Sequence, residues 1–466
     1  MIFSSPQFIV FFAVYLFLHL AIPVRHRLAL IIAGSTFFYG YWNPWYLWVP
    51  YILVAIAFFG ALWQERARDA AVHKRRMAIV VGAMLAPLVV VKYTNFLYQD
   101  FLGIFLGDRG PLVQWSLPLG ISFITFTMIA YVADVYRGQY QVEKNLGLLS
   151  GLVLFFPHLI AGPILRPRDL LPQLANPQPA RHAFGIRFVY GLAIFTLGLF
   201  KKIVLADTLG ETVRAVYDAA SAGLSAADYL LAWYAFCVQI YCDFSGYTDM
   251  AIGIAIVLGV RLPINFRQPF AAASIIDFWR HWHITLSNWL RDYIYIPLGG
   301  NRAQGALRFR NVIVTLGLSG LWHGAHWNFV IWGLLHGVGI AFNQQLRRSG
   351  TAFDAPRWIK VLLTFHFVCV TFIMFRSPDL STAWRVVSGP FAAPSGNISV
   401  FLSTHLFELI LLAIFFLTHA WDSHRVIRRI VQKLPRAIYW IVVALVWVLS
   451  TAISQDNPSK FIYFDF

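Results

Sequence analysis

Histidines with polar neighbours lie in a mostly apolar chain, and they are the side chains best suited to chemistry. The densest polar run, residues 277–287, contains His281 and His283, and His323 follows within an apolar block between Trp322 and Gly324. A neutral imidazole in a low-dielectric site can accept a proton from a hydroxyl, and the resulting imidazolium can protonate a leaving thiolate. We therefore expect His323 to be a general base, although a core histidine bonded to a backbone carbonyl would fit the same spacing.

Spacing separates the other histidines from one another. On a helix, His281 and His283 would point to different faces, so only one of them would reach a shared site. His323 and His326 are three residues apart and would share a helix face. For His281, His326 and His336 we expect a structural role, such as a hydrogen bond between helices.

A metal centre is the rival use of clustered histidines. The HxH and HxxH spacings occur here, but HExxH does not, and acidic residues nearby are scarce apart from Asp277 and Asp292. Zinc sites usually need three or four ligands from Cys, His and carboxylate side chains. We therefore predict no metal site and no permanently bound cofactor.

A second polar run, residues 241–253, holds two carboxylates and several hydroxyls between apolar segments. Ionisable groups within membrane segments are costly and usually functional. We expect Asp243, Ser245 and Tyr247 to line a polar cavity. A structural turn in which Asp243 caps a helix is the alternative.

Basic side chains could bind the phosphates of a nucleotide-like donor. Lys201 and Lys202 follow an apolar segment, and Arg166 and Arg168 lie in a piece interrupted by prolines. These groups could contact such a donor from the cytoplasmic side, or they could anchor to lipid headgroups. Arg291 is a further candidate for the donor site. The remaining candidates for binding substrate or lining the site are Trp279, Arg280, Trp322 and Asn328.

Membrane-spanning helices must position these groups. The 466 residues are 59% hydrophobic and 12% charged, whereas a soluble domain carries about 25% charged residues. In water such a chain would expose large apolar patches, so the bilayer is its solvent. The formal charge of +16 could suggest nucleic acid. The basic residues lie in short loops between apolar segments, however, and we predict no nucleic-acid partner.

Apolar stretches that could cross a hydrocarbon core of about 30 Å recur along the whole chain. Several are too short for a full span, so we expect half-membrane or re-entrant segments among them. The pattern predicts an all-α, polytopic membrane protein. The candidate spans are Phe8–Pro23, Leu28–Tyr41, Trp45–Leu62, Ala78–Phe96, Leu117–Tyr136, Phe184–Phe200, Tyr229–Tyr241, Ile252–Val260, Asn328–Phe342, Trp358–Phe375, Phe401–Leu417 and Ala437–Ile453.

Basic clusters predict the topology of the chain. They lie at residues 25–27, 66–76, 347–360 and 424–436, and the positive-inside rule assigns such loops to the cytoplasm. Two spans separate the first two clusters, which returns the chain to the same side. Both termini are therefore predicted to be extracytoplasmic.

Two irregular stretches interrupt the apolar pattern, at residues 157–172 and 261–310. Non-helical backbone at membrane depth is tolerated only where it is buried in protein or lines a cavity. We therefore expect the function to be built in these stretches.

In their order along the chain, the motifs resemble the membrane-bound O-acyltransferase (MBOAT) superfamily. The resemblance covers most of the chain and favours the bacterial branch with the alginate O-acetyltransferase membrane protein and the D-alanyl transfer protein of teichoic acids. The matching pieces are Pro118 to Phe123, Phe156-Pro157-His158 through Gly162-Pro163, Asp243 to Tyr247, Asn265-Phe266, Phe278-Trp279-Arg280 through Leu286-Ser287, Arg291-Asp292-Tyr293, Pro297 to Arg302, Gly320 to Gly324, and Phe461 to Phe464.

The resemblance implies an architecture and two site residues. Residues 1–466 would form a single domain of about eleven transmembrane helices with re-entrant segments, arranged as a ring around a thin core with opposing funnels. The catalytic region would be about residues 241–337. The nearly invariant histidine of the family falls on His323, and its second polar position falls on His283. The acyl donor would enter from the cytoplasm and the acceptor from outside.

The resemblance also implies the reaction. It favours transfer of an acyl group, acetyl above all, from acetyl-CoA or another acyl thioester, for O-acetylation of an exported polysaccharide or cell-wall glycan. An extracytoplasmic SGNH-type partner would complete the transfer to the glycan. Such a protein would be a multi-pass protein of the bacterial inner membrane.

Three other functions compete with this reading. Within the family, the chain could transfer D-alanyl groups to teichoic-acid-type polymers. From other classes, it could be a transporter of a glycan or lipid, or a scaffold subunit of an export complex. A transporter would show repeated halves with paired broken helices, whereas the polar groups here are concentrated in one region.

Overall fold

A computed structural model of the chain describes residues 1–107, 110–112, 116–160, 162–179, 183–218, 223–350, 354–454 and 462. These residues form helices and connecting segments, and none of them lies in a β-strand. The chain divides into two compact units. The first unit comprises residues 1–195 and 248–264, and the second comprises residues 196–247 and 265–466.

The first unit contains nine helices among its described residues and the start of a tenth. They are α1 (Pro6–Ala21), α2 (Arg27–Trp42), α3 (Trp48–Glu65), α4 (Ala70–Leu88), α5 (Gly103–Leu106), α6 (Ile121–Tyr136), α7 (Leu146–Leu154), α8 (Phe156–Leu159), α9 (Pro167–Ala175) and α10 (Phe184–Leu199).

The second unit begins within α10 and contains most of the polar residues singled out above. Its further helices are α11 (Thr208–Asp218), α12 (Ala226–Val257, which ends in the first unit), α13 (Ile275–His281), α14 (Ile284–Leu290), α15 (Ala306–His323), α16 (Trp327–Arg348), α17 (Arg357–Arg376), α18 (Leu380–Ala392), α19 (Ile398–Thr404), α20 (Leu406–Thr418), α21 (His424–Lys433) and α22 (Arg436–Ile453).

Side-chain caps account for where several helices begin. Ser5 accepts a hydrogen bond from the backbone N–H of Phe8, with proline as the first helical residue of α1. Asp69 caps α4 and Ser274 caps α13 in the same way. Each such cap satisfies one of the N–H groups that the first turn leaves without a partner.

Shorter helical segments connect or extend these helices. The tight turns are Val24–His26, Pro44–Tyr46, Pro269–Ala271, Gly300–Arg302 and His419–Trp421, and the π-helical segments are Val89–Tyr93, Phe96–Phe101, Phe200–Asp207 and Arg291–Tyr295. The first π-helical segment directly follows Pro87 in α4. Proline removes a helical hydrogen bond, and the local helix geometry adjusts around it.

Five helical stretches among the described residues are long and apolar enough to cross a membrane. They are Pro44–Glu65, Ala70–Tyr93, Phe184–Asp218, Arg357–Arg376 and Arg436–Ile453. A sixth is possible if Ile398–Thr404 and Leu406–Trp421, which are bent by 73° at a short break, form one broken span. The predicted spans Phe8–Pro23 and Leu117–Tyr136 correspond to shorter apolar helices, Pro6–Ala21 and Ile121–Tyr136.

The prediction of two separate spans at Tyr229–Tyr241 and Ile252–Val260 is wrong. Tyr229–Tyr241 and most of Ile252–Val260 lie in the 32-residue helix α12 (Ala226–Val257), which continues through the polar run between them. The alternative in which Asp243 caps a helix is wrong for the same reason, because Asp243 lies in the interior of α12. No proline interrupts this run, and Gly246 and Gly253 face helix α10 closely enough that an added Cβ would meet its backbone within 2.7 Å.

The two irregular stretches do consist of short helices joined by extended segments, as predicted. Residues 157–172 include α8 and the start of α9, and residues 261–310 include α13 and α14. None of these helices exceeds nine residues. Such pieces are too short to span a bilayer, so their role is to hold side chains in place within the protein.

A helical hairpin of α15 and α16 carries His323 at its bend. Glycines allow the two helices to approach closely, since a Cβ on Gly320 would lie 2.1 Å from the carbonyl oxygen of Phe329, and one on Gly333 would lie 2.2 Å from that of Leu316. Small residues at such contacts are typical of helix packing in membranes.

Candidate functional site

His283 lies in a sharply turned loop between α13 and α14. Its backbone adopts φ 41° and ψ 55°, a left-handed conformation that costs a non-glycine residue about 1–3 kcal/mol. Backbone hydrogen bonds hold the loop against the segment before α13, from Ile284 N–H to the Asn265 carbonyl (2.8 Å) and from Arg267 N–H to the His281 carbonyl (3.0 Å). The neighbouring structure therefore maintains a strained conformation at this histidine.

The side chain of Asn265 determines which nitrogen of His283 carries the proton. The Asn265 Oδ1 atom lies 3.2 Å from the backbone N–H of Thr285 and 3.1 Å from His283 Nδ1. A backbone N–H can only donate, so the Asn265 atom facing it must be the oxygen. His283 Nδ1 must then donate to the same oxygen, which places the lone pair of the neutral imidazole on Nε2. Nε2 is therefore the basic nitrogen of His283.

His283 and His323 belong to one cluster of aromatic rings. Both are buried, with 0% and 3% of their surface exposed, and both contact the indole of Trp322, at ring-centroid distances of 6.0 and 4.7 Å. Phe244 packs edge-on against His283 at 4.7 Å. Trp332 packs against His323 at 5.1 Å. The two predicted catalytic residues therefore lie on one shared indole in a dry environment.

His336 is held by hydrogen bonds at both ring nitrogens. Trp279 Nε1 donates to His336 Nδ1 at 3.2 Å, so Nε2 carries the proton and donates to Thr371 Oγ1 at 2.9 Å. The Thr371 hydroxyl in turn donates to the Val368 carbonyl. This chain of bonds joins α13, α16 and α17, so His336 makes the hydrogen bonds between helices that were expected of it.

His281 and His326 have local contacts instead of bonds between helices. His281 Nδ1 lies 3.9 Å from Asp277 Oδ1 on its own helix. His326 caps α16 by accepting from the N–H of Asn328. The expectation that His323 and His326 share a helix face is wrong, because α15 ends at His323 and α16 begins after His326.

The predicted donor-binding lysines are buried in ion pairs. Lys202 contacts Asp243 at 2.6 Å and Asp207 at 2.7 Å, with 3% of its side chain exposed. Lys201 contacts Asp422 at 2.7 Å. Burial of this degree rules out headgroup anchoring for Lys202, while donor binding by these lysines stays a prediction.

The ion pairs tie distant segments to helix α12. Asp243 accepts the backbone N–H of Ile462 at 2.8 Å through its second oxygen, and Tyr241 donates its hydroxyl to Asp422 at 2.6 Å. Gly246 permits the close approach, since a Cβ there would meet the backbone N of Lys202 at 3.1 Å. The motif at Phe461 to Phe464 lies outside the described residues apart from Ile462.

The structure separates the remaining predicted residues into two groups. Trp279, Trp322, Asn328, Ser245 and Tyr247 are buried, and Trp279 joins the histidine cluster by packing against Trp332 at 5.8 Å. Arg280 and Arg291 are exposed.

Arg291 pairs with the neighbouring Asp292 at 2.6 Å, so it is engaged at the protein surface. Arg166 and Arg168 lie at the start of α9 in the first unit. Their predicted role in holding a donor remains a prediction.

Several buried polar atoms near the histidines have no hydrogen-bond partner among the described residues. They include Trp332 Nε1, Asn328 Oδ1 and Asn265 Nδ2. Buried polar groups in proteins are nearly always paired with protein or water. These atoms are therefore places where a substrate or an ordered water can bind.

The part of the chain that the structure describes contains no group of three or more His, Cys, Asp or Glu side chains placed to hold a metal ion. The three cysteines, Cys237, Cys242 and Cys369, are buried thiols.

Sequence reasoning missed the residues that support the histidines. Asn265 lies 18 residues before His283 and 20 residues before Thr285 in the sequence. Asp422 lies 221 residues from Lys201. In the sequence, only the Asn265-Phe266 motif pointed to Asn265. No spacing rule relates residues that the fold brings together from separate helices.

Comparison with known proteins identifies the family. A model of the membrane-bound O-acyltransferase family matches residues 149–377. The probable alginate O-acetylase of Pseudomonas putida is 35% identical over the full length of both chains. The peptidoglycan O-acetyltransferase of Helicobacter pylori is 34% identical over 84% of this chain and 79% of its own. A teichoic acid D-alanyltransferase of Bacillus subtilis is 28% identical over 59% of this chain and 75% of its own.

An all-helical membrane chain with two buried histidines on one indole, and with relatives of this similarity, belongs to the membrane-bound O-acyltransferase family. It is an O-acyltransferase enzyme. The matched residues 149–377 include both histidines and Lys202 with its partners Asp207 and Asp243.

Proposed function

We propose that this enzyme transfers an acetyl group from a thioester donor on the cytoplasmic side of the membrane, for O-acetylation of an exported polysaccharide or cell-wall glycan. The relatives that O-acetylate alginate and peptidoglycan align over 84–100% of the chain. The D-alanyl alternative has the weaker support, because that relative aligns over 59% of the chain at 28% identity. The single observation that carries the proposal is the pair of buried histidines on Trp322.

In the proposed reaction the acceptor hydroxyl attacks the carbonyl carbon of the thioester. His323 takes the hydroxyl proton, the C–O bond forms, the C–S bond breaks, and the imidazolium returns the proton to the leaving thiolate. His283 Nε2 carries a lone pair, so it can accept a hydrogen bond from another donor group of the acceptor and help to orient the acceptor for attack. Burial favours the neutral form of both imidazoles, which is the form that this proton transfer requires.

The finer architecture follows the family resemblance. The proposal places about eleven transmembrane helices and re-entrant segments in a ring around a thin core, as one domain spanning residues 1–466. Funnels would admit the donor, acetyl-CoA or another acyl thioester, from the cytoplasm and the acceptor from outside. Asp243, Ser245, Tyr247, Trp279, Trp322 and Asn328 would line the path between them.

The cellular setting is proposed on the same basis. The enzyme would be a multi-pass protein of the bacterial inner membrane with both termini extracytoplasmic. An SGNH-type protein outside the membrane would receive the acetyl group or complete its transfer. In that case the direct acceptor is a hydroxyl of the partner, and the glycan is the final acceptor.

The test measures ester-linked acyl groups on exported and wall glycans by mass spectrometry. A deletion strain is complemented with wild type, His323→Ala or His326→Ala, each at equal membrane abundance. We expect wild type and His326→Ala to restore acetyl ester and His323→Ala to restore none. His326 is a matched control because it lies three residues away and caps α16.

Each other result has a definite meaning. Full activity of His323→Ala would contradict its catalytic role, and alanyl ester in place of acetyl ester would favour the D-alanyl alternative. If wild type restores no ester on any glycan, the proposed substrate class is wrong. A transport function would then be favoured if glycan export itself depended on the protein.

A further inference from the structure

The first unit contains a second group of buried polar side chains that acyl transfer does not use. His19, Arg27 and Tyr15 are 4%, 5% and 3% exposed. Tyr15 and His19 lie one turn apart on α1 with their rings stacked at 6.3 Å and 20°. Arg27 is the first residue of α2. Polar groups buried to this extent normally have partners.

These side chains have few partners among the described residues. Both ring nitrogens of His19, the hydroxyl of Tyr15 and Nε of Arg27 lack a hydrogen bond. The His19 ring lies beside the backbone of Leu258, without a hydrogen bond of ordinary geometry. Arg27 donates to the carbonyl oxygen of Gln178, and no carboxylate within the described part of the chain pairs with it.

A second guanidinium lies within electrostatic range of Arg27 and His19. Arg187, on α10, packs closely against Gly259. A Cβ added to Gly259 would lie 2.1 Å from the Nη1 atom of Arg187, and Gly259 has φ +83°. Arg187 and Arg27 interact electrostatically with each other and with His19. Arg187 is only partly buried, whereas Arg27 is buried.

A buried guanidinium beside an imidazole is unfavourable without a counter-charge, and Arg27 has no carboxylate partner among the described residues. Bringing cations together in a poorly solvated place costs Coulomb energy and desolvation energy. Backbone contacts account for part of the arrangement, since Arg27 donates to a carbonyl. They leave Arg27 Nε, His19 and Tyr15 unexplained. All of these groups can donate hydrogen bonds, and guanidinium matches the geometry of phosphate oxygens.

We propose that Arg27, Arg187, His19 and Tyr15 form a binding site for a phosphate ester. Basic residues 25–27 place it on the side that the positive-inside rule assigns to the cytoplasm. Two sources of that chemistry occur there, the headgroup of an anionic phospholipid and the phosphates of a nucleotide-type thioester donor. The second source rests on the proposed function, whereas the first is independent of it.

The experiment measures binding to the purified full-length protein in detergent without turnover. Two probes are titrated separately, phosphatidylglycerol and free coenzyme A. Wild type is compared with the double variant Arg27→Gln/Arg187→Gln and with Arg25→Gln. Arg25 is a matched control, because it lies two residues from Arg27, is exposed and contacts only the adjacent His26.

We expect the double variant to bind one probe at least tenfold more weakly, with Arg25→Gln unchanged. Weakened phosphatidylglycerol binding alone assigns a lipid headgroup, and weakened coenzyme A binding assigns the donor. Unchanged affinity for both probes in the double variant would overturn the proposal. Because binding is measured without acyl transfer, failure of the proposed function would not affect the lipid result.

A folding defect in the double variant is handled by two milder changes. Arg187→Gln alters only the partly buried arginine, and Arg27→Lys keeps the charge while removing the planar fork. Each should weaken the same probe by less than the double variant does. If both purify as monodisperse protein and bind both probes like wild type, the proposal is wrong.

Discussion

At the scale of single residues, Asn265 is predicted to control activity through His283. Replacing it with alanine removes the acceptor that holds His283 Nδ1 and leaves buried donors of Thr285 without that oxygen. Loss of such a bond costs about 1–3 kcal/mol, which corresponds to roughly five- to hundredfold in rate. We expect Asn265→Ala to lower kcat by that factor in an acetyl-transfer assay with purified protein.

Two variants make the Asn265 result specific. Asn265→Asp keeps an oxygen acceptor and should retain more activity than alanine. Ser287→Ala removes a neighbouring hydrogen bond to the Trp282 carbonyl without touching the imidazole, so its kcat should match wild type. Equal losses in Asn265→Ala and Ser287→Ala would mean that general destabilisation, and not histidine orientation, controls the rate.

Substitution of Lys202 tests whether this residue forms a structural ion pair or binds the acyl donor. Lys202→Met would leave Asp243, whose side chain is 2% exposed, without its main cation. Breaking a buried pair on one side typically costs about 3–5 kcal/mol. We therefore expect a marked loss of thermal stability in detergent, and the double variant Lys202→Met/Asp243→Asn should be less affected. A raised KM for the donor at unchanged stability would instead support donor binding.

His323 and His283 could be singled out from the sequence as candidate catalytic residues, whereas the residues that hold them in place could not. His323 and His283 were indicated by polar residue types in apolar surroundings and by ordered motifs. The role of Asn265 depends on a loop geometry with φ 41° at His283, and nothing in the residue types encodes it. The partners of Lys201 and Lys202 come from helices far away in sequence, so the lysines looked like a basic patch.

At the scale of elements, the α15–α16 hairpin positions His323, and its glycines are not equivalent. A Cβ on Gly320 would meet the Phe329 carbonyl oxygen at 2.1 Å, whereas one on Gly317 would meet only Leu334 Cδ2 at 3.3 Å. Overpacking a tight contact costs about 1–3 kcal/mol or more. We expect Gly320→Ala to lower both the melting temperature and acetyl transfer, because the helices must separate.

Gly317→Ala is the matched control on the same helix. Its nearest neighbour is the end of a flexible side chain, which can shift, and alanine favours the helix by about 0.5–1 kcal/mol over glycine. Its melting temperature and activity should therefore stay at or above wild type. Equal losses in both variants would show that the hairpin does not depend on the close contact at Gly320.

Helix boundaries were predictable where hydropathy alone decides them. The span Trp358–Phe375 falls inside α17, and Ala437–Ile453 falls inside α22. The prediction failed at α12, because polar residues in its middle were interpreted as an interruption. Inside a membrane protein a helix can carry Asp243 in its interior when Lys202 neutralises the charge, and local sequence does not reveal that partner.

At the scale of the whole molecule, the family could be predicted from ordered motifs, whereas the predicted number of spans stays a prediction. Five helical stretches meet the length and apolarity of a full span, or six with the bent pair, against the twelve segments predicted. Short helices such as α13 and α14 contribute buried side chains without spanning, which hydropathy cannot separate from true spans.

The last prediction concerns the orientation of the chain in the membrane. The positive-inside rule assigns residues 66–76 and 424–436 to the cytoplasm and the loop between α2 and α3 to the outside. Since Cys237, Cys242 and Cys369 are all buried, single introduced cysteines can report on sidedness with little background. In intact spheroplasts a membrane-impermeant maleimide should label Trp45→Cys but neither Arg68→Cys nor Arg428→Cys, and permeabilisation should make all three reactive. Trp45 is 83% exposed on the protein surface, and labelling only after permeabilisation would place it on the cytoplasmic side. The opposite pattern would reverse the topology and place the donor entrance and both termini on the other sides from those proposed.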